Sequence, residues 1–331
     1  MSLTEVRWPT LAEVFDDIAS VIDRSDEIGC LAHKDADADS LGSALGFALS
    51  MRRIGKRAVA MAPAPVPHLL EYLPGFDTLV DTPRSLDALF TFDCATLARF
   101  GDKRALVEGT KIVVNIDHHV SSEGFGTINL VEPKASSTGE VVFKLLRALD
   151  APITPEVAGN LYAALFTDTG GFRHENTTED VLRLGADLVA LGANPAWIAL
   201  KSYKSKSVSR TRLEGMAIAR MHTEHDGALV WSEITQPMLE EAGARMEESE
   251  GVIDALQSID TMQLAVLFKE NGANSTKVSV RSRPPYDATD VCTPFGGGGH
   301  HRAAGAEISA PMAVARERVL EVARNLLTRH Q

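Results

Sequence analysis

The sequence predicts an α/β protein, a doubly wound and mostly parallel sheet followed by a smaller C-terminal α/β domain. Two observations carry this. Short apolar runs alternate with helix-periodic stretches through the first half, the pattern of successive strand–helix units. Three of those runs end in ionisable residues, at His33, at Asp93 and at Asp117, and open α/β sheets bind ligands beyond the carboxyl ends of their strands.

The elements follow in order. EIGCLAH (27–33) is a strand, and DSLGSALGFALSMRRIG (39–55) is a helix that stops at Gly55. KRAVAMAP (56–63), LDALFTFD (86–93), KIVVNID (111–117) and TINLVEP (127–133) are further strands. STGEVVFKLLRAL (137–149) and PEVAGNLYAALFTDTGG (155–171) have helical spacing. From 178 to 221 the pattern is helical and increasingly basic, with LKSYKSKSVSRTR at 200–212, and reads as connecting helices and a linker. The alternation then restarts. ALVWSEI (228–234), MQLAVLFKE (262–270) and TKVSVRSR (276–283) are strands, while 238–259 and 314–327 are each expected as one helix. The expected divisions are a first domain at 1–190, a helical linker at 191–222 and a second domain at 223–331.

Composition narrows the class. A chain of 331 residues, 44% hydrophobic and 24% charged, is long enough for about two domains with real cores. It has no run of eighteen apolar residues, and MSLTEVRWPT lacks a basic-then-apolar leader, so a cytoplasmic protein is expected. Cys30, Cys94 and Cys292 are far apart and have no CxxC spacing, which fits reduced core residues. The net charge of −12 argues against a protein that grips long duplex nucleic acid by its backbone. An anionic substrate must then meet a local positive site, made by metal ions or a few arginines, and short substrates suit that best.

Five stretches carry chemistry. In HKDADADSLGSALG (33–46), His33 and carboxylates at alternate positions can converge on one pocket. Asp39 or Ser40 could instead cap the following helix. Asp93 in FTFDCAT closes an apolar run and alone would pass for a cap. NIDHHVSSEGFG (115–126) ends a strand with Asp117, His118 and His119, costly to bury unless something pairs with them, although a plain turn also tolerates these residues. Asp168 in LYAALFTDTGGFRHENTT (161–178) precedes a glycine pair and could simply end a helix. Together, His33, Asp37, Asp39, Asp93, Asp117, His118 and Asp168 make the inventory of a two-metal site. The fifth stretch, TPFGGGGHHRAAGAEI (293–308), offers backbone N–H groups to a phosphate at Gly297, Gly298 and Gly299, beside His300 and His301. Arg281, Arg283 and Arg302 could add bidentate hydrogen bonds. Phe172, His174, Tyr286 and Phe295 are candidates for stacking on a base.

These stretches together resemble the DHH phosphoesterase superfamily. Asp117-His118-His119 matches its eponymous triplet, HKDADADSLGS fits its H-x-x-x-D-x-D-x-x-G-S pattern, and GGGGHHRAAG looks like the signature of the associated DHHA1 domain. Ala36 stands where many relatives carry proline. The two-domain length is most similar to the branch of nanoRNases and phosphoadenosine-phosphate phosphatases. The resemblance implies one metal on His33, Asp37 and Asp93, and a second on Asp39, Asp93, His118 and Asp168, with Asp93 shared. It implies that His119 faces the scissile phosphate, that Asp117 supports the histidines, and that Arg281 and His300, with the glycines, bind the substrate's other phosphate. The implied cofactor is Mn²⁺, two per chain, with Mg²⁺ or Co²⁺ able to substitute. The implied substrates are short RNA, dinucleotides such as pApA and pGpG, 3′-phosphoadenosine 5′-phosphate (pAp) and cyclic di-AMP, acted on by a homodimer. Two alternatives stand beside this: a family II-like inorganic pyrophosphatase, whose S-R-K-K clamp is not found here, and a non-catalytic nucleotide sensor.

Overall fold

Thr10 and Glu13 start the chain's first helix with a capping box, satisfying N–H groups that have no partner inside the helix. In this computed structural model residues 7–249 and 251–329 are described. Residues 1–6, where the stretch read for a leader begins, and Glu250, inside the helix expected at 238–259, lie outside the described residues. Helix α1 (Leu11–Arg24) buries Val14, Ile18 and Ile22, one face at a spacing of four. After it come β1 (Glu27–Leu31), α2 (Ala38–Arg53), β2 (Arg57–Met61), β3 (Ala88–Phe92), α3 (Arg104–Gly109), β4 (Val113–Asp117) and β5 (Ile128–Val131). Four more helices follow: α4 (Thr138–Ala148), α5 (Pro155–Asp168), α6 (Glu179–Ala190) and α7 (Pro195–Ala199), the last running into a π-helical turn at 200–204.

The five strands form one parallel sheet in the order β2-β1-β3-β4-β5. Alternate residues fill two different cores. Cys30, Ala60, Phe90, Phe92 and Ile116 pack with α1, α2, α4 and α5, whereas Leu31, Met61, Leu89 and Val113 pack with Phe100 and with Val107 of α3. Both faces are covered, so the strands read as nearly continuous apolar runs. The order turns back between β1 and β3, the switch point at which doubly wound sheets open a crevice. The loops beyond the strand ends are stitched together there. Lys34 N donates to Arg99 O at 2.6 Å, and Glu123 N donates to Ala95 O at 2.8 Å.

The second unit holds α8 (Val208–Ala219), β6 (His222–Glu224), β7 (Leu229–Ile234), α9 (Gln236–Ala242), α10 (Val252–Gln257), β8 (Leu264–Glu270), β9 (Thr276–Ser282), α11 (Ala288–Cys292), β10 (Gly298–His300), β11 (Ala303–Ile308) and α12 (Met312–Arg329). Its strands form a mixed sheet in the order β10-β11-β9-β8-β7-β6, with β7 and β8 parallel. Val266, Phe268 and Val280 face Val319 and Leu320 of α12, and Val230, Ala265 and Leu267 face Leu213, Met238 and Leu256. The chain divides into its two units between Ser205 and Lys206, inside the segment 191–222 that carries α7, the π-helical turn and α8.

Two expectations need correction. The segment 238–259 is not one helix: α9 stops where Gly243 turns left-handed (φ 64°), a 3₁₀ turn spans Met246–Ser249, and α10 begins at Val252. The glycine run continues into an edge strand, β10, that its composition does not announce. Cys30, Cys94 and Cys292 are buried and free, as expected. Among the described residues no helix is long and apolar enough to cross a membrane.

Candidate metal centre

The site gathers at the carboxyl ends of β1, β3 and β4 and at the ends of α2, α4 and α5. His33 lies two residues past β1, and its Nδ1 is 2.8 Å from Lys34 O. Donation to that carbonyl places the proton on Nδ1 and aims Nε2 at carboxylates, Asp93 Oδ2 at 3.3 Å and Asp37 Oδ2 at 3.7 Å. Asp37 caps α2, accepting the N–H of Ser40 at 2.8 Å. The cap of α2 is thus Asp37, and the alternative reading of Asp39 or Ser40 as that cap does not hold. Asp39 does cap a helix, but a different one: its oxygens accept the N–H groups of Thr138 and Gly139, the first two residues of α4, at 2.8 and 2.9 Å. A carboxylate is favoured there by the helix dipole as well as by the two bonds.

Asp93 follows β3 with a left-handed backbone (φ 59°), unusual for a non-glycine residue. The turn aims its carboxylate at both histidines. Oδ2 faces His33, while Oδ1 is 3.4 Å from His118 Nε2 and accepts Thr138 Oγ1 at 2.9 Å. His118 Nδ1 is 3.1 Å from Ala135 O, and its Nε2 also approaches Asp168 Oδ2 at 3.5 Å and Asp39 Oδ2 at 3.7 Å. Asp168 is the last residue of α5, and its carbonyl accepts from Asn176 Nδ2, which also donates to Ser136 O. Asp117 stays beside the triplet: its Oδ1 accepts the N–H groups of His118 and His119 and lies 2.8 Å from His119 Nδ1. Asp35 is exposed, with a left-handed backbone of its own.

The electrostatics of this cluster are those of crowded carboxylates. Burial, reinforced by the charges of Asp93 and Asp168, holds Asp39 well above the usual carboxylate range. Burial lifts Asp168 to about 7; His118 opposes, and the Asp93 charge adds to the lift. Asp93 goes the other way: burial opposes, but His119, His118 and His33 together hold it well below the ordinary value. Burial pushes His33 down, yet Asp37 and Asp93 outweigh it and raise it to about 10. Within the first unit three sets of donor atoms each lie within 4.8 Å of one another: His33 with Asp37 and Asp93, Asp39 with His118 and Asp168, and His119 with Asp93 and Asp117. Carboxylate oxygens with one imidazole in each of the first two sets suit hard to borderline divalent cations, so these donors fit two such ions, with Asp37 exposed and Asp168 half-buried at the edge.

The sequence does not single out Thr138, Gly139, Ala135 or Asn176 for this site. The Ser-Thr-Gly start of α4 is legible as a helix start, yet nothing in it announces that its N–H groups hold a carboxylate 99 residues earlier.

In the second unit His300 pairs with Ala303, and Ala303 pairs with Arg281, so the three share a row and a face across β10, β11 and β9. Two of the glycines answer to packing. A Cβ at Gly297 would lie 2.3 Å from Gly305 O, and one at Gly299 (φ 144°) would lie 2.4 Å from Ala303 O. At Gly298 nothing lies within 4 Å. Arg283 donates to the carbonyls of Asp260 and Gln257, and Arg302 to that of Tyr286. These bonds brace the backbone. Phe172 packs against Tyr162 and Phe166 beside the first core, and Tyr286 and Phe295 pack against the second unit's core. His174 is exposed, its Nδ1 3.4 Å from Asp168 O.

A parallel α/β sheet with a buried aspartate–histidine cluster beyond its strand ends is the framework of a metal-dependent hydrolase. Residues 27–165 match the DHH family, N-terminal domain, and residues 227–329 match the DHHA1 domain. The chain belongs to the DHH family. It is similar to the bifunctional oligoribonuclease and PAP phosphatase NrnA of Thermus thermophilus, 33% identical over 301 residues that cover 90% of this chain and 89% of that protein. The protein of the same name in Bacillus subtilis is 25% identical over 279 residues, 83% of this chain and 87% of that one. An exopolyphosphatase-related protein from Bacteroides fragilis has the same fold at a TM-score of 0.86 and 26% identity, covering 99% of this chain and 98% of that one.

Proposed function

We propose that this protein is a two-cation phosphoesterase that hydrolyses short oligoribonucleotides and dinucleotides such as pApA and pGpG, together with pAp, to mononucleotides. The observation that carries the reading is Asp93, whose two oxygens face the two donor sets separately. A carboxylate placed in that way suits a pair of ions with a shared ligand. Similarity to NrnA proteins along most of the chain supports the substrate class.

His33, Asp37 and Asp93 would hold one cation, and Asp39, Asp93, His118 and Asp168 the other, with Mn²⁺ the ion of choice for such mixed carboxylate and imidazole donors. The chemistry that two such ions supply when bound is charge neutralisation on the phosphate and a lowered pKa for the attacking water. His119 acts on the substrate. Its Nδ1 donates to Asp117, which keeps the ring from rotating and, with the ring protonated on both nitrogens, leaves Nε2–H to donate to a phosphate oxygen. Hydrolysis adds water to phosphorus, breaks the P–O ester bond and delivers a proton to the leaving oxygen, giving two nucleotides from pApA, and AMP and phosphate from pAp. Arg281 and His300, with the glycine run, bind the substrate's second phosphate, which makes 223–331 the substrate-binding domain and 1–190 the catalytic one. A homodimer belongs to the same reading.

The test is a panel of kcat/KM values with added Mn²⁺ over pAp, pApA, pGpG, cyclic di-AMP and inorganic pyrophosphate. Turnover of the 5′-phosphorylated dinucleotides or pAp, abolished by a chelator, is the expected result. Turnover of pyrophosphate alone would replace the reading with that of a pyrophosphatase, and tight binding without turnover would replace it with that of a sensor.

A further inference from the structure

The sheet face that carries Leu31, Leu89 and Val113 also carries polar side chains. Thr91 on β3 and Asn115 on β4 are register partners, and neither is exposed. Thr91 Oγ1 lies 2.9 Å from Asn115 Oδ1 and donates to it. That bond assigns the amide, with its oxygen engaged by Thr91 and its Nδ2 a donor still to be placed. Two residues on, along the same face, stands Asp117. Its Oδ1 accepts all the hydrogen bonds described above, whereas Oδ2 is buried and accepts none among the described residues; Asn115 Nδ2 is buried and donates none.

The two unsatisfied atoms are complementary, one a donor and one an acceptor, on positions separated by about 6.6 Å of strand. The same face carries an apolar cluster of Leu31, Leu89, Val113 and Phe100. Folded proteins leave few buried polar atoms without partners, and internal waters sit where they bridge such groups. We propose that Asn115 is a positioning residue for this centre: an internal water accepts from Asn115 Nδ2, donates to Asp117 Oδ2, and so fixes the carboxylate that orients His119. Asp117 is then held by both oxygens and cannot swing about its last torsion. The direction of the His119 Nδ1 bond, and with it the aim of Nε2, follows from Thr91 through Asn115 and Asp117.

Two experiments test this, and the first needs no assay. A high-resolution crystal structure should show a water within hydrogen-bond distance of both Asn115 Nδ2 and Asp117 Oδ2; no water bonded to both atoms overturns the proposal. The second rests on the phosphoesterase reading and compares Asn115→Ala with Asn115→Ser, which differ by one hydroxyl able to hold the water. Asn115→Ala should lose about tenfold in kcat on pApA, with KM and Mn²⁺ stoichiometry unchanged, the scale typical of outer partners of functional histidines. Asn115→Ser should recover most of the rate with no matching gain in Tm. Equal rates in the two variants, or a wild-type rate in Asn115→Ala, would overturn the positioning role. Should Asn115→Ala fail to fold, Thr91→Val tests the same chain from its far end and should lower kcat severalfold at unchanged KM; an unchanged kcat contradicts the proposal. A wild-type enzyme inert on every nucleotide would defeat the phosphoesterase reading, and the crystallographic result would then decide on Asn115.

Discussion

Asp117 and His119 show how a strand end becomes a reactive group. Asp117 is fully buried, yet its charge is met by two backbone N–H groups and a ring N–H, the partners a buried carboxylate needs. His119 is thereby oriented; it belongs to neither the His33, Asp37 and Asp93 set nor the Asp39, His118 and Asp168 set, and groups instead with Asp93 and Asp117. We expect His119→Ala to keep both cations and to lose about 10²–10³ in kcat, the typical cost of removing a group that stabilises charge in the transition state. Metal content and kcat measured on the same preparation check this, and loss of metal would mean that His119 is a ligand. His33, Asp93, Asp117 and Asp168 were legible in the sequence because each closes an apolar run where charge is otherwise costly, and Asp37 and Asp39 because they alternate just after His33. Thr138 and Asn176 were not, because a threonine at a helix start and an asparagine in a loop are ordinary residues until the fold brings them to Asp93, Ser136 and Asp168.

Among the elements, α4 has more to do than span its eleven residues. Its N-terminal N–H groups hold Asp39, and Glu140 in its first turn accepts Ser136 N and Ser136 Oγ and pairs with Lys144. Burial would raise Glu140, but those bonds prevail and keep it below the usual range. A depressed folded-state pKa contributes stability above the unfolded value of about 4.3, and that contribution disappears as pH falls through the lower, folded value. Glu140→Gln should therefore be about 1.5 kcal/mol less stable than wild type at pH 7, and the gap should close below about pH 4.3. Denaturant melts at a series of pH values measure it. The strand β10 gives a contrast between neighbouring glycines. Gly299→Ala places a Cβ against Ala303 O on a backbone that favours glycine, and should cost about 1–3 kcal/mol. Gly298→Ala meets nothing within 4 Å and should stay within about 0.5 kcal/mol of wild type. Equal melting temperatures for the two variants would contradict the packing role. The strands of the first sheet were predictable because burial on both faces makes them near-continuous apolar runs, and α2, α4 and α5 because of their helical spacing, whereas α1 and α3 were not read from the sequence. The break at Gly243 was hidden by apolar residues that continue beyond it at helical spacing.

For the whole molecule, the −12 net charge requires that the groups meeting an anionic substrate be local. Arg281 and His300 lie on separate segments of the sequence but share one row of the second sheet, with Ala303 between them, a placement that no local pattern reveals. Arg281→Ala should weaken kcat/KM on pApA by about 1.5–3 kcal/mol, the scale of a charged hydrogen bond, and leave bis-p-nitrophenyl phosphate, which has no second phosphate, nearly unaffected. Equal losses on both substrates would make Arg281 a brace for β9. The centre of the account is Asp93 as the shared ligand of two cations, and it can be tested in one titration. Metal-stripped protein is titrated with Mn²⁺ while bound metal and pApA hydrolysis are followed together, for wild type and for Asp93→Ala. Wild type should bind two equivalents and reach full turnover only as the second is taken up, and Asp93→Ala should bind neither tightly. Saturation at one equivalent, or an Asp93→Ala variant that holds two ions, would contradict it.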